Sequence, residues 1–352
     1  MAEVRRGCLV LADISGYTSY LTGVELEHSH DVLADLLGVV ADRLAAVGSL
    51  AKLEGDAVFV CDLGGEATGE ALLAAIDAAY ASFVRRRRTI DVRTTCRCDA
   101  CARIESLDLK FIAHHGEFVE HVVAGSSELL GADVILVHRL LKNSAGEQTG
   151  GDAFALITAA CTDALGLDPT ALGLAPHSER YEDIGEVPCW TRNVASRWRE
   201  QERRDPRRVA PGEALIEVQR ACAGAPSAVW EALLDPVRQL RWRGGATDVE
   251  SSSPDGARDV GTLTHCVHGS QTFDQEIVDW RPFEYYTYEE HGPFGSFLWT
   301  FELGGADPGT RVTARVALAG GRRQRLLMVV GRSRMRGIVE RNLDALASQF
   351  EH

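Results

Sequence analysis

The spacing of apolar residues along the chain changes period several times, and each change marks an element. Cys8-Leu-Val-Leu-Ala12 is an unbroken apolar run ending at Asp13, which reads as a strand over residues 7–13. From residue 30 to 47 the apolar positions Val32, Leu33, Leu36, Leu37, Val40 and Leu44 recur at three-and-four spacing, the stripe of an amphipathic helix. A hairpin about Glu54-Gly55 follows and leads into the strand-like run Ala57-Val-Phe-Val-Cys61. An alanine-rich helix over 66–86 and strands over 107–114 and 117–123, joined at Gly116, complete the set. The order β-α-β-β-α-β predicts a ferredoxin-like arrangement.

The pattern lapses at residues 195–212, which are charged, hold Pro206 and Pro211 and show no apolar stripe, the signature of a linker. Beyond it come a strand at 214–218, a short helix at 227–235 capped by Ser227, and strands at 261–267, 273–280, 285–290, 296–303 and 311–317. A long terminal helix carries Leu326, Leu327, Val330, Ile338, Leu343 and Leu346. Strand, helix, antiparallel sheet and long helix describe a helix-grip fold. Through Ala225-Pro-Ser-Ala-Val-Trp-Glu231 and the turn Asp279-Trp-Arg-Pro282, this half resembles the START-like (SRPBCC) polyketide cyclase and hydrophobic-ligand transport superfamily. The expected class is α+β, with a first domain at 1–194, a linker at 195–212 and a START-like ligand-binding domain at 213–352.

With 352 residues, 45% of them hydrophobic, the chain is long enough for two separate cores. A net charge of -14 argues against a nucleic-acid partner, since neutralising phosphates needs a basic surface. The arginine clusters, among them Arg85 to Arg88, read as solvated faces or linker, with a charged partner or membrane surface as the other reading. No apolar run reaches the ~20 residues of a membrane span, and the N-terminal residues lack a signal-peptide core, so a cytoplasmic location is expected. Nine scattered cysteines fit reduced thiols better than a disulfide frame.

Candidate chemistry concentrates on Asp13, in Leu11-Ala-Asp-Ile-Ser-Gly-Tyr-Thr18, and Asp56, in Lys52-Leu-Glu-Gly-Asp56. Each stands where an apolar strand meets a turn, so in one sheet the two acids converge. Two hard carboxylates completed by a polyphosphate and waters make the octahedral shell that Mg²⁺ prefers. These residues resemble the class III nucleotidyl cyclases, and more closely bacterial cyclase-homology domains of the type DUF2652. Ala12-Asp-Ile-Ser-Gly-Tyr-Thr18 is similar to the cyclase run Phe-x-Asp-Ile-x-Gly-Phe-Thr, and Lys52-Leu-Glu-Gly-Asp56 to its Lys-x-x-Gly-Asp. The resemblance implies that Asp13, Asp56 and the carbonyl of Ile14 hold Mg²⁺ or Mn²⁺, and that Lys52 reads the purine. The segment from Glu128 to Arg139 looks like the cyclase helix in which an acid reads adenine and an Asn and an Arg stabilise the transition state. Glu128 and Arg139 take the acid and arginine positions, and Ile135 stands where the Asn belongs.

The family's sites are shared across a homodimer, the metal acids facing Lys52, Glu128 and Arg139 of the other subunit. Losing one positioned donor costs on the order of 10²–10³ in rate, so Ile135 implies weak or absent ring closure. The family's phosphate-binding Lys is also missing from Tyr181-Glu-Asp-Ile-Gly-Glu-Val187. Cys96, Cys98 and Cys101 are spaced to share a Zn²⁺ if a fourth ligand such as His114 or His115 joins them, and free or redox-active thiols are the other reading. In the second half, Trp230, Trp242, Phe273, Trp280, Tyr286, Phe297, Trp299 and Phe301 form a core or line a pocket for a hydrophobic small molecule. The resulting expectation is a signalling or sensor protein that binds an ATP-like nucleotide with Mg²⁺ through a degenerate cyclase domain. An active adenylate cyclase, and a hydrophobic-metabolite carrier with the first domain as a dimerisation scaffold, are the alternatives.

Overall fold

A computed structural model describes residues 3–22, 26–65, 67–93, 103–123, 126–204, 206–253, 258–319 and 322–351. The chain divides into two compact units, Met1–Arg204 and Asp205–His352. Both are α+β.

The first unit is built on β1 (Val4–Ser15), α1 (Tyr17–Leu21), α2 (Leu26–Leu44), β2 (Ser49–Glu54), β3 (Ala57–Cys61), α3 (Gly69–Arg93) and β4 (Asp108–Val123). Then come β5 (Ser126–Leu130), α4 (Ala132–Arg139), α5 (Ala145–Thr149), β6 (Phe154–Thr158), α6 (Ala159–Ala164), β7 (Ala175–Tyr181), β8 (Gly185–Asn193) and α7 (Val194–Arg203). The sheet runs β2-β3-β1-β4-β6-β8-β7, with β5 paired to β4 off that path. Its first four strands, β2-β3-β1-β4, are antiparallel neighbours in the ferredoxin-like order, and β6 joins β4 in parallel. Central β1 is buried on both faces, which explains its unbroken apolar run. Leu9, Leu11, Phe59 and Ile112 pack with Val134 and Val137 of α4, and with Leu140 just past its end, in one core layer.

Three expectations change here. Gly116 is not a turn: β4 runs through it as one 16-residue strand. A Cβ at Gly116 would sit 2.4 Å from the Asp133 side chain, so the glycine exists to let the start of α4 press onto the strand. Asp133 there accepts a 2.6 Å hydrogen bond from the Glu117 N–H. Residues 195–203, read as the start of a linker, instead belong to helix α7, in which Val194, Ala195, Trp198 and Gln201 are buried. Its stripe is short and mixed with arginine, and tertiary ion pairs do the fastening: Asp77 of α3 takes Arg192 at 2.5 Å and Arg197 at 2.8 Å. The run Arg85 to Arg88 is likewise not a free solvated face. Arg85 pairs with Glu202, Arg86 with Asp35, Arg87 bonds the Leu107 carbonyl, and Arg88 lies over the Trp198 ring at 4.5 Å.

The second unit comprises β9 (Ile216–Cys222), α8 (Pro226–Leu234), α9 (Pro236–Trp242), β10 (Asp248–Ser252), β11 (Leu263–His268), β12 (Gln271–Arg281), β13 (Tyr285–Gly292), β14 (Gly295–Gly305), β15 (Thr310–Leu318) and α10 (Arg322–Ser348). Its antiparallel sheet runs β10-β11-β12-β13-β14-β15-β9, and α10 packs on β9: the helix-grip layout. Ser227 is not the cap of α8; Ala225 precedes the helix and Pro226 opens it. Residues 207–209 are fastened to side chains of this unit's sheet, the Arg207 N–H donating to Asp279 Oδ2 and the Val209 N–H to Thr300 Oγ1, both at 2.9 Å. Among the described residues no helix is long and apolar enough to cross a membrane.

Gly116→Ala should destabilise the first unit by about 1–3 kcal/mol through overpacking against Asp133. Chemical denaturation checks this, and an unchanged midpoint would mean that α4 is not seated on β4.

Candidate functional site

Asp13 closes the buried stretch of β1, where its cross-strand partners are Ala57 on β3 and Lys110 on β4. Alternation along the strand places it on the same face as Leu9 and Leu11, the face covered by α4. Asp56 stands in the turn between β2 and β3, a turn made by Gly55 at φ 66°. The Ile14 N–H donates to the Asp56 carbonyl at 3.1 Å. That one backbone bond ties the end of β1 to the hairpin and holds both acids at one end of the sheet.

The charges there do not balance. Lys110 Nζ lies 3.0 Å from Asp13 Oδ2, and both side chains are largely buried. Burial, and next the Asp13 carboxylate, push the Asp56 carboxyl above its ordinary value, while Lys110 pulls it partly back. Two carboxylates thus share one ammonium, and a hard divalent cation matches both the donor atoms and the missing charge. Among the described residues no three His, Cys, Asp or Glu side chains gather as a closed metal cage. Asp13, Asp56 and the Ile14 carbonyl would therefore leave most of the shell to water and phosphate oxygens, the habit of Mg²⁺.

Lys52 of β2 meets Glu128 across the strands, its Nζ 3.0 Å from Oε1 and 3.1 Å from Oε2. This hydrogen bond raises the Lys52 pKa. Glu128 lies on β5, not on the helix expected for it, because Gly131 breaks the segment before α4 begins. Ile135 and Arg139 do share α4. Ile135 is 58% exposed, and with Val134, His138, Arg139, Lys142 and Tyr181 it walls an open groove of about 420 Å³. Arg139 reaches Asp183 at 3.5 Å. Among the described residues, no hydrogen bond or ion pair joins Asp13 or Asp56 to Lys52, Glu128 or Arg139 of the same chain.

Sequence reasoning missed Lys110 and His138. Lys110 was findable as the lone cation within the apolar run Leu107-Asp-Leu-Lys-Phe-Ile-Ala113. His138 bonds Glu54 Oε2 at 2.8 Å and so braces α4 against the strand that leads to Asp56. Cys96, Cys98 and Cys101 lie outside the described residues. Of the histidines considered with them, His114 is buried, with Nδ1 2.9 Å from Thr158 Oγ1 and Nε2 3.3 Å from Asp133, and burial lowers its pKa. In the second unit the aromatics mostly pack on one another: Trp230 meets Trp280 at 5.1 Å and Tyr286 at 5.6 Å, and Tyr286 stacks on Phe301 at 5.5 Å.

Two α+β units, one with a ferredoxin-like core and one with a helix grip, make this chain a two-domain fusion. Residues 33–149 match the model of a protein of unknown function (DUF2652), and residues 213–351 match that of the polyketide cyclase / dehydrase and lipid transport family. A stretch of 111 residues is 44% identical to the uncharacterized protein Rv2561/Rv2562 of Mycobacterium tuberculosis, covering 32% of this chain and 51% of that one. The chain thus spans about half the length of that curated relative. Among solved structures, the guanylyl cyclase Cya2 overlaps with a TM-score of 0.42 and 18% identity, over 54% of this chain and 92% of its own. The adenylyl cyclase CyaB of P. aeruginosa overlaps with a TM-score of 0.36 and 16% identity, over 54% and 95%. DynU16, from the dynemicin biosynthetic locus, overlaps with a TM-score of 0.32 and 20% identity, over 39% and 46%.

The raised Asp56 pKa has a signed consequence. The folded state holds that proton more tightly than the unfolded chain, so the penalty of ionising Asp56 is absent below the unfolded value of about 3.9 and grows as pH rises through the folded value. Asp56→Asn should therefore raise the Tm of chelator-treated protein at pH 7, and the gain should vanish below about pH 3.9. Melting curves across pH check this; a variant less stable than wild type at pH 7 would show that the acids do not repel.

Proposed function

We propose that the first domain binds a purine nucleoside triphosphate with Mg²⁺ or Mn²⁺ at Asp13 and Asp56, and that the second binds a hydrophobic small molecule. The chain is then a cytoplasmic signalling or sensor protein with a degenerate cyclase domain. The observation that carries the reading is the excess negative charge of Asp13 and Asp56, tied together at one end of the sheet with only Lys110 against them. A divalent ion brought in by a triphosphate supplies the missing charge and hard-ligand coordination. On this reading Lys52 and Glu128, already paired as donor and acceptor, present a matched edge to the purine base.

Because no bond links the acids to that edge within one chain, the reading places the complete site across a homodimer. Asp13 and Asp56 of one subunit face Lys52, Glu128 and Arg139 of its partner, and a two-fold axis makes two such sites. Exposed Leu50, Leu53, Leu130 and Ile135 supply apolar surface for the pairing. Ile135 offers no hydrogen bond beside Arg139, so binding without rapid cyclisation is expected.

Calorimetry on the full chain should show ATP binding that strengthens with Mg²⁺, and Asp13→Ala or Asp56→Ala should abolish the metal-dependent part. Equal affinity with and without metal would refute the site. In the same preparation, Ile135→Asn should raise cyclic AMP formation by on the order of 10²–10³. A wild-type turnover already at about 10 per second would favour the active-cyclase reading instead.

A further inference from the structure

The core of the second domain contains a cation without a partner anion. Arg243, at the end of α9, is 7% exposed and makes no ion pair among the described residues. Its Nη1 donates to Gln275 Oε1 at 2.9 Å, Gln275 passes the contact to Glu290 at 2.7 Å, and Trp299 Nε1 holds the other Glu290 oxygen at 3.2 Å. The guanidinium also lies 5.2 Å from the Trp242 ring and 5.7 Å from the Tyr288 ring. Glu290 stands one amide away, and burial pushes its carboxyl toward the neutral form, so it balances the arginine poorly. A buried charge left this way is costly unless something completes it.

Three buried polar atoms without a hydrogen-bond partner gather at the same place. Arg243 Nε, Tyr286 OH and Gln239 Oε1 are unsatisfied, on residues 7%, 2% and 4% exposed. All three residues line one cavity of about 20 Å³. That is room for one or two oxygen-sized atoms. Arg258, paired to Glu231 at 3.0 Å, adds a second cation to the wall, Thr262, Thr264 and Gln275 add polar side chains, and Leu234 and Ile277 supply its apolar part. Two of the orphaned groups donate hydrogen bonds and the third accepts one.

The geometry points to an anion-head site: the second domain takes an organic acid whose carboxylate, or equally acidic enolate or phenolate, accepts from Arg243 Nε and Tyr286 OH. Gln239 Oε1 then receives a hydroxyl or water proton beside it. This rests on the reading of the second domain as a small-molecule binder and narrows it, replacing a merely hydrophobic ligand by an acidic one. Neutral lipids would leave the guanidinium Nε as bare as it is now.

The test is calorimetry on the full chain with 2-naphthoate and its neutral counterpart 2-naphthamide, two probes with the same ring system. The expected result is naphthoate bound about tenfold or more tightly than naphthamide, since hydrogen bonds to charged groups outweigh neutral ones by that order. Tyr286→Phe removes only an unbonded hydroxyl, so it should leave the Tm intact and weaken naphthoate alone. Arg243→Gln should erase the preference. Equal affinities for the two probes, or a preference kept in Tyr286→Phe and Arg243→Gln alike, would overturn the anion site and leave a plain apolar pocket. Binding of neither probe would overturn the anion site as well, the cavity then holding water only.

Discussion

The register of β1 between β3 and β4 decides where the charge in the first domain falls. Because Asp13 stands opposite Ala57 and Lys110, the acid reaches the hairpin turn on one side and the ammonium on the other. A slip of one residue would carry Asp13 to the opposite face and put Ala12 or Ile14 in its place. What prevents the slip is burial on both faces: Leu9 and Leu11 fill one layer while Cys8, Val10 and Ala12 fill the other. The exposed chemistry is thus set by packing several residues away.

Much of this was legible in the sequence, since the elements that build the core announce themselves by period. The run at Cys8, the stripe from Val32 to Leu44 and the hairpin at Gly55 all follow from local rules. What was not legible depended on partners distant in the chain. Gly116 reads as a turn until Asp133 is seen against it, and α7 reads as linker until Asp77 is seen to hold Arg192 and Arg197. The edge strands β7 and β10 are mostly polar and largely exposed, so they carry no apolar run to announce them. At the candidate site the two acids could be found from strand ends and turns, whereas the counter-ion Lys110 and the brace from His138 to Glu54 required the pairing of β4 with β1 and the seating of α4.

The two domains handle ionic groups in opposite ways. In the first, carboxylates gather at a sheet end, largely buried beside one ammonium, so an incoming cation supplies the charge that the site lacks. In the second, the cation lies in the core, and the amide of Gln275 stands between it and Glu290, whose other oxygen is held by Trp299. Such an arrangement keeps the guanidinium oriented without neutralising it, which preserves its pull on an anion in a medium of low dielectric.

Ile135 sits on the outward side of its helix, with more than half of its side chain in solvent, while its neighbours Val134, Leu136 and Val137 are sunk into the core. Folding therefore places almost no demand on which residue occupies that position. An asparagine there would forfeit no packing that the core depends on. The scaffold would tolerate that change, and whether the position stays apolar is left to selection on what the site does rather than on whether the chain folds.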